Sequence, residues 1–231
     1  KIKEEQKARV ERWEKMYQRF QKEPRGVTFA VVAITLAEAI IAREQIGEEV
    51  DADRVVRLTE EAHAAAPSRA TQTNLATALL FRAHRQLVKQ EPEYAKMASR
   101  ARRSLDTGYL IAVALDRGGK LREAVLANKD VRRAGELLRD STATFSDEIS
   151  PWICVLLQAT HPEDAAARID TLNKSELAKV GRAIGYRLSA ASATTAFESY
   201  WALKLAGKEE EGKAILKRCA EQGVPLPFDV R

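Results

Sequence analysis

The side chains best suited to chemistry in this 231-residue chain are its histidines, carboxylates and arginines. The three histidines, His63, His84 and His161, stand far apart in sequence. None belongs to a His-Glu-x-x-His pair, the spacing that puts two imidazoles on one helix face around a zinc ion. No Gly-x-Ser-x-Gly elbow and no glycine-rich phosphate loop occurs. Gly118-Gly119-Lys120 lacks the strand and the remaining loop of a nucleotide site, and reads as a break between helices. The acids come in runs, Glu48-Glu49, Glu60-Glu61 and Glu209-Glu210-Glu211, at polar helix starts and on polar faces. A catalytic carboxyl pair needs one member in an apolar pocket to separate the two pKa values. Glu38 is the exception, lying inside an apolar run, where a partly buried carboxylate facing a groove or an arginine is expected. No enzyme, metal or cofactor is therefore expected.

Arginine and lysine give the more coherent signal. Arg82, Arg85 and Lys89 share one helical face, and Arg100, Arg102, Arg103, Arg132 and Arg133 form a second basic group. Such a face is either solvated and balanced by acids or a positive groove for an acidic peptide, a C-terminal carboxylate or nucleic acid. Nucleic acid ranks lowest, because aromatic residues make up 6% of the chain and none interleaves with this basic cluster as a stacking platform. The formal net charge of +5, from 38 basic and 33 acidic residues, is mild and demands no anionic partner.

The elements that must position these residues are helices. The chain is 45% hydrophobic and 31% charged, with 11 glycines and 7 prolines, so it has a core and little room for long loops. No segment alternates at period two for long enough to build a sheet. Helices are expected over Ile2–Lys22, with the stripe Val10, Trp13, Tyr17 and Phe20, and over Val27–Ile46, closed by Gly47. Asp51 or Asp53 caps the next, which carries Val55, Leu58, Ala62 and Ala65. Arg69–Lys89 follows, with Leu75, Leu79, Ala83 and Leu87, and then a helix opened by Pro92 that carries Tyr94, Met97, Ala98, Ala101 and Leu105. Long and short helices thus recur with a start-to-start spacing of about 40 residues, in the range of helical solenoids.

The second half is less regular. Short helices are expected at Tyr109–Leu115, Leu121–Leu126 and, capped by Asp130, Val131–Arg139. A polar loop at 141–150, with helix-start character at Ser146-Asp147-Glu148, makes a softer joint near 140–150. Pro151–Ala159 is apolar, Thr160-His161-Pro162-Glu163 has the pattern of a capping box, and Asn173-Lys174-Ser175-Glu176 is another helix start. Leu177, Val180, Ile184 and Leu188 form the next stripe, and Ser189–Thr195 a kink or turn. Phe197–Ala206 and Lys208–Gln222 make a hairpin in which Gly212 and Cys219 let the helices approach. Val224, Leu226 and Phe228 are expected to pack the tail back onto the last helices. The three tryptophans are expected in the core or in helix seams, with Tyr200 or Trp201 as the ring that a partner site would expose.

These hairpins resemble tetratricopeptide (TPR-like) repeats. Ala62 and Pro67 have the family's spacing between a second-helix alanine and the closing proline. Ile111, Ala112 and Leu115 fit its large, small and large first-helix positions. Gly119, Glu123 and Ala124 fit its turn glycine and Glu-Ala opening, repeated by Gly207, Glu211 and Gly212. The pattern departs where a small residue is required, at Arg43 and Tyr200, and the early units exceed the roughly 34 residues of the family repeat. The resemblance implies an all-α fold, a right-handed superhelix of antiparallel helix hairpins, with another α-solenoid or a compact helical bundle as the alternatives. It also implies a ligand along the first-helix surface, which selects Arg43, Asn74, Arg82, Arg85 and Lys89 as partner-binding residues.

The expected organisation is an N-terminal amphipathic helix (1–23) that caps the array, a repeat domain (24–222) and a tail (223–231). The expected function is a non-enzymatic scaffold that holds a protein or peptide, an acidic one fitting best. The alternatives are an oligomerisation or assembly module of a larger, membrane-anchored protein and a weak basic nucleic-acid binder. Cys154 and Cys219 lie in apolar patterns and suit neither a disulfide framework nor a metal site, which fits a cytoplasmic setting and, for an anchored protein, a periplasmic one. No membrane span is expected: Val27–Ala42 contains Thr28, Thr35 and Glu38 and falls short of the roughly 20 residues a spanning helix needs. A chain opening at Lys1 rather than Met is expected to have lost a tag, signal, anchor or preceding domain.

Overall fold

The computed structural model describes residues 2–101, 105–141, 151–171, 173–186 and 192–229. Among them are thirteen helices and no strand. The chain divides into two compact units, Lys1–Arg85 and Gln86–Arg231, and the division falls inside a single helix. Residues 142–150, with the helix start at Ser146-Asp147-Glu148, lie outside the described residues.

The first unit contains α1 (Ile2–Phe20), α2 (Val27–Gln45), α3 (Ala52–Ala65) and most of α4 (Arg69–Gln90). Tyr17 is the buried member of the α1 stripe. Its ring lies 5.6 Å from Phe29 of α2, and its hydroxyl donates to Glu61 of α3 at 2.8 Å. Arg54 of α3 pairs with Glu14 of α1. The N-terminal helix thus contributes Tyr17 to this unit's core. Gly47, at φ +82°, ends α2 in a conformation that other residues disfavour, and Asp51 then caps α3 by accepting from the Arg54 amide at 2.9 Å. A reciprocal box opens α4. The Thr71 amide donates to the Ser68 hydroxyl at 3.2 Å, and the Ser68 amide donates to the Thr71 hydroxyl at 3.0 Å.

The second unit begins with the last turn of α4 and holds α5 (Pro92–Ala101), α6 (Thr107–Arg117), α7 (Gly119–Ala127), α8 (Lys129–Ser141) and α9 (Pro151–Thr160). It continues with α10 (Pro162–Thr171), α11 (Lys174–Tyr186), α12 (Ala193–Leu205) and α13 (Glu209–Glu221). Helix α9 packs against α6, α8, α10 and α12, and α12 packs against α11 and α13. Contacts between α6 and α12 cross nearly ninety residues, so this unit is not held together by neighbouring hairpins alone.

Glycines set the close approaches. A Cβ at Gly212 of α13 would lie 2.9 Å from the Tyr200 carbonyl oxygen of α12, and one at Gly181 of α11 would lie 3.1 Å from the Ser199 carbonyl oxygen. Tyr200, which breaks the family's small-residue pattern, is thus accommodated by the glycine opposite it. The tail packs as expected: Leu226 is buried, and Phe228 lies 5.9 Å from Phe197.

Several local expectations are corrected. Helix α8 starts with the Asn128 side chain accepting from the Asp130 amide at 2.9 Å, and Asp130 is itself buried rather than a cap. Thr160 is the last residue of α9, where its hydroxyl donates back to the Leu156 carbonyl at 2.9 Å, and α10 opens after His161 at Pro162. Val180 is 51% exposed, because the buried face of α11 runs through Ala178 and Gly181. Leu188 and the side chain of Ile184 lie outside the described residues.

Candidate functional site

Three of the five partner-binding residues expected from sequence, Arg43, Arg82 and Arg85, come together in the first unit around the turn between α2 and α3. Closing α2 at Gly47 sends the Glu48 amide back to the Arg43 carbonyl at 3.2 Å. The same fold-back brings the Glu48 carboxylate to Arg43 Nε at 2.5 Å. One turn of α4 separates the two arginines that reach this hairpin. Arg85 donates to Glu44, at the end of α2, at 2.7 Å, and Arg82 to Asp53, in the first turn of α3, at 2.9 Å. Asn74 sits half-buried two turns upstream on α4. Lys89 is exposed on the next turn of α4, within the second unit, and has no ion pair among the described residues.

Each of the three arginines is thus paired with a carboxylate. The Arg85–Glu44 side chains are 20% and 27% exposed, whereas Asp53 opposite Arg82 is 70% exposed. Screening by water leaves a solvated pair worth at most about 1 kcal/mol, so the Asp53 carboxylate is the partner most easily exchanged for another. His84, between the two arginines, is pushed down to about 4, first by burial and then by the Arg85 charge, and is neutral at pH 7. Glu38 does not join the cluster. It is exposed, on the side of α2 away from the core. In the second basic group, Arg100 pairs with Asp229 at 3.2 Å, Arg132 and Arg133 are exposed, and Arg102 and Arg103 lie outside the described residues.

A second polar cluster escaped sequence reasoning. In the second unit, Asp116 at the end of α6 accepts from the Trp201 indole at 3.2 Å and from Lys204 Nζ at 2.7 Å. Tyr109 donates to Glu198, and its ring lies 6.0 Å from Trp201 and 6.1 Å from Trp152. Burial alone would lower the Lys204 pKa, but the Asp116 carboxylate outweighs it and the net shift is upward. The ammonium therefore stays charged and is unsuited to nucleophilic attack. A cavity of about 240 Å³ adjoins it, lined by Val155, Gln158, Ile169, Trp201, Lys204, Leu205 and Glu209. Trp201 is fully buried and Tyr200 nearly so, which removes both rings as exposed anchors. The one local signal for this cluster was the indole N–H, a donor that needs an acceptor once buried.

No group of three or more His, Cys, Asp or Glu residues able to hold a metal occurs among the described residues. Both cysteines are free and buried, and burial raises the Cys154 thiol to about 12. No helix among the described residues is long and apolar enough to cross a membrane. Fold and side chains together define an all-α protein with a carboxylate-paired arginine cluster on a helix hairpin. No known family, curated protein or solved structure matches the chain.

Proposed function

We propose that this chain is a non-enzymatic, TPR-like scaffold that binds a protein or peptide carrying carboxylates over the α2–α3 turn and the adjoining face of α4. Arg82 and Arg85 supply the charged anchors, Arg43 shapes the turn, and Asn74 contributes a polar contact on α4. The observation that carries this reading is the Arg82–Asp53 pair, in which a guanidinium 19% exposed faces a carboxylate 70% exposed. The arginine is held in place before any partner arrives, so little side-chain entropy is lost on binding. A partner carboxylate can replace Asp53 as a bidentate acceptor without stripping a buried ion of its only compensation.

The hairpins α2–α3, α6–α7 and α12–α13 are the units we regard as TPR-like, each turning at a glycine with positive φ. A scaffold reading also accords with the chemistry of the titratable groups. His84 is held neutral, Lys204 is held charged, and burial raises both thiols.

The test is capture of partners from the source lysate by the wild-type chain and by Arg82→Ala/Arg85→Ala, with both proteins first matched for helical content. Loss of specific partners in the double variant, and weaker capture at high salt, are the expected results. An unchanged partner set would refute the site. Capture that survives protein removal but not nuclease treatment would favour the nucleic-acid alternative.

A further inference from the structure

Helix α2 is strongly apolar, with only Thr28, Thr35 and Glu38 interrupting Val27–Ala42. Its inner faces are covered: Phe29, Ala30, Val32, Ala33, Leu36, Ala37, Ala39 and Ile40 are buried within the first unit. One stripe is not. Val27 is 72% and Val31 54% exposed, Ile34 and Thr35 are half-exposed, and Glu38 is exposed. The Thr35 hydroxyl is turned back to the Val31 carbonyl at 2.8 Å, so its polar atom is already occupied.

The two ends of this stripe are electrically opposite. The first turn of α2 follows Gly26, which offers no side chain to its free N–H groups, and it contains no acidic residue. Arg25 stands beside it, 51% exposed while paired with Glu61 at 3.8 Å, and so keeps an open side for a second carboxylate. Glu38 closes the other end, about 16 Å further along the helix axis at 1.5 Å per residue. A helix start without a side-chain cap attracts a carboxylate, but Glu38 cannot reach the start of its own helix. It can reach that of another copy.

We propose that the chain self-associates through α2, two copies packing antiparallel about a two-fold axis that passes between Val31 and Ile34. In that register Val31 of one copy faces Ile34 of the other. Each Glu38 meets the opposite copy's Gly26–Val27 turn and Arg25. Such an isologous contact is self-complementary, since both copies use the same surface. The charge pattern selects a second copy over an unrelated partner, because the stripe carries both the acid and its receptor at matching distances from the axis. The interface is narrower than a standard one of roughly 1,600 Å², so the dimer is weak and dissociates on dilution.

The experiment is sedimentation equilibrium of the chain from micromolar to millimolar concentration, with circular dichroism of every variant. The wild-type chain is expected to shift from monomer to dimer. Val31→Glu, at an exposed position, and Glu38→Lys are each expected to weaken the dimer at least tenfold with helical content unchanged. Val27→Asp is a second route. An acid in the first turn favours the α2 dipole, which preserves the fold, and it occupies the seat that Glu38 of the other copy would take. A wild-type chain that stays monomeric throughout overturns the proposal. So does a dimer that tolerates all three variants, or one that Val31→Glu breaks and Glu38→Lys does not.

Discussion

Gly212 carries the sharpest residue-scale consequence. A methyl group there meets the Tyr200 backbone at 2.9 Å from its carbonyl oxygen, and backbone within a packed helix cannot swing aside. Gly212→Ala should therefore destabilise the protein by about 1–3 kcal/mol despite the higher helix propensity of alanine, measured as a lower urea midpoint. His84 predicts a pH dependence. Its folded pKa of about 4 lies below the ordinary value of 6.5. Between these two pH values the unfolded chain binds the proton and the folded chain does not. Stability is then lost as pH falls from 6.5 towards 4, with a slope of up to about 1.4 kcal/mol per pH unit. The difference in stability between wild type and His84→Gln, followed by urea unfolding across that window, should change with this sign and flatten above pH 7. Neither effect is visible in sequence, where His84 is one lone histidine. The small residue at 212 was legible, and its partner Tyr200 looked like an obstacle until the two were seen to fit each other.

At the scale of elements, helix positions follow from local chemistry, and helix partners do not. Caps at Asp51 and Asn173 and the glycine stops at 47, 118 and 207 mark the ends that their residue types imply. The seam between α6 and α12 has no such signal, because Asp116 and Lys204 are brought together only by the packing of their helices. Asp116→Asn would keep an acceptor for the Trp201 indole but leave the partly buried Lys204 ammonium without its main counter-charge. The expected cost is about 1–3 kcal/mol, read as a lower melting temperature with the tryptophan emission of the folded protein nearly unchanged. The cost should shrink in Asp116→Asn/Lys204→Met, where the stranded charge is gone. The arginine cluster is the reverse case. Its helical face was legible, but its three carboxylates were not, since Glu48 read as part of an acidic run, Asp53 as a candidate cap, and Glu44 carried no signal of its own.

For the whole molecule, the two cysteines report on the second unit. Both are buried among apolar side chains, with Cys154 at 3% exposure and Cys219 at 0%. Their thiols should be inert to an aromatic disulfide reagent at neutral pH and react only as fast as the structure around them opens. Adding urea should expose both, and a rapid reaction in the absence of denaturant would contradict their burial. The division of the chain at Arg85 and Gln86, inside α4, had no marker in sequence. A continuous helix carries no proline or glycine at such a boundary, and a few polar residues such as His84, Arg85 and Gln86 are ordinary on any helix.

Residue types and their spacing already specify that this protein is helical, where most helices begin and end, and that both cysteines lie on apolar helix faces. These are local consequences of backbone propensity, capping and periodicity, acting within a few residues. Tertiary structure alone decided which charges neutralise which, that Glu38 faces outward, and that one stripe of an apolar helix is left uncovered. Those outcomes depend on which faces meet across long sequence separations, and a helix presents several faces of similar composition. For α2, Thr28, Thr35 and Glu38 mark one polar side, but Val27, Val31 and Ile34 lie beside them, and only the packed neighbours show how far the open side extends over these apolar residues.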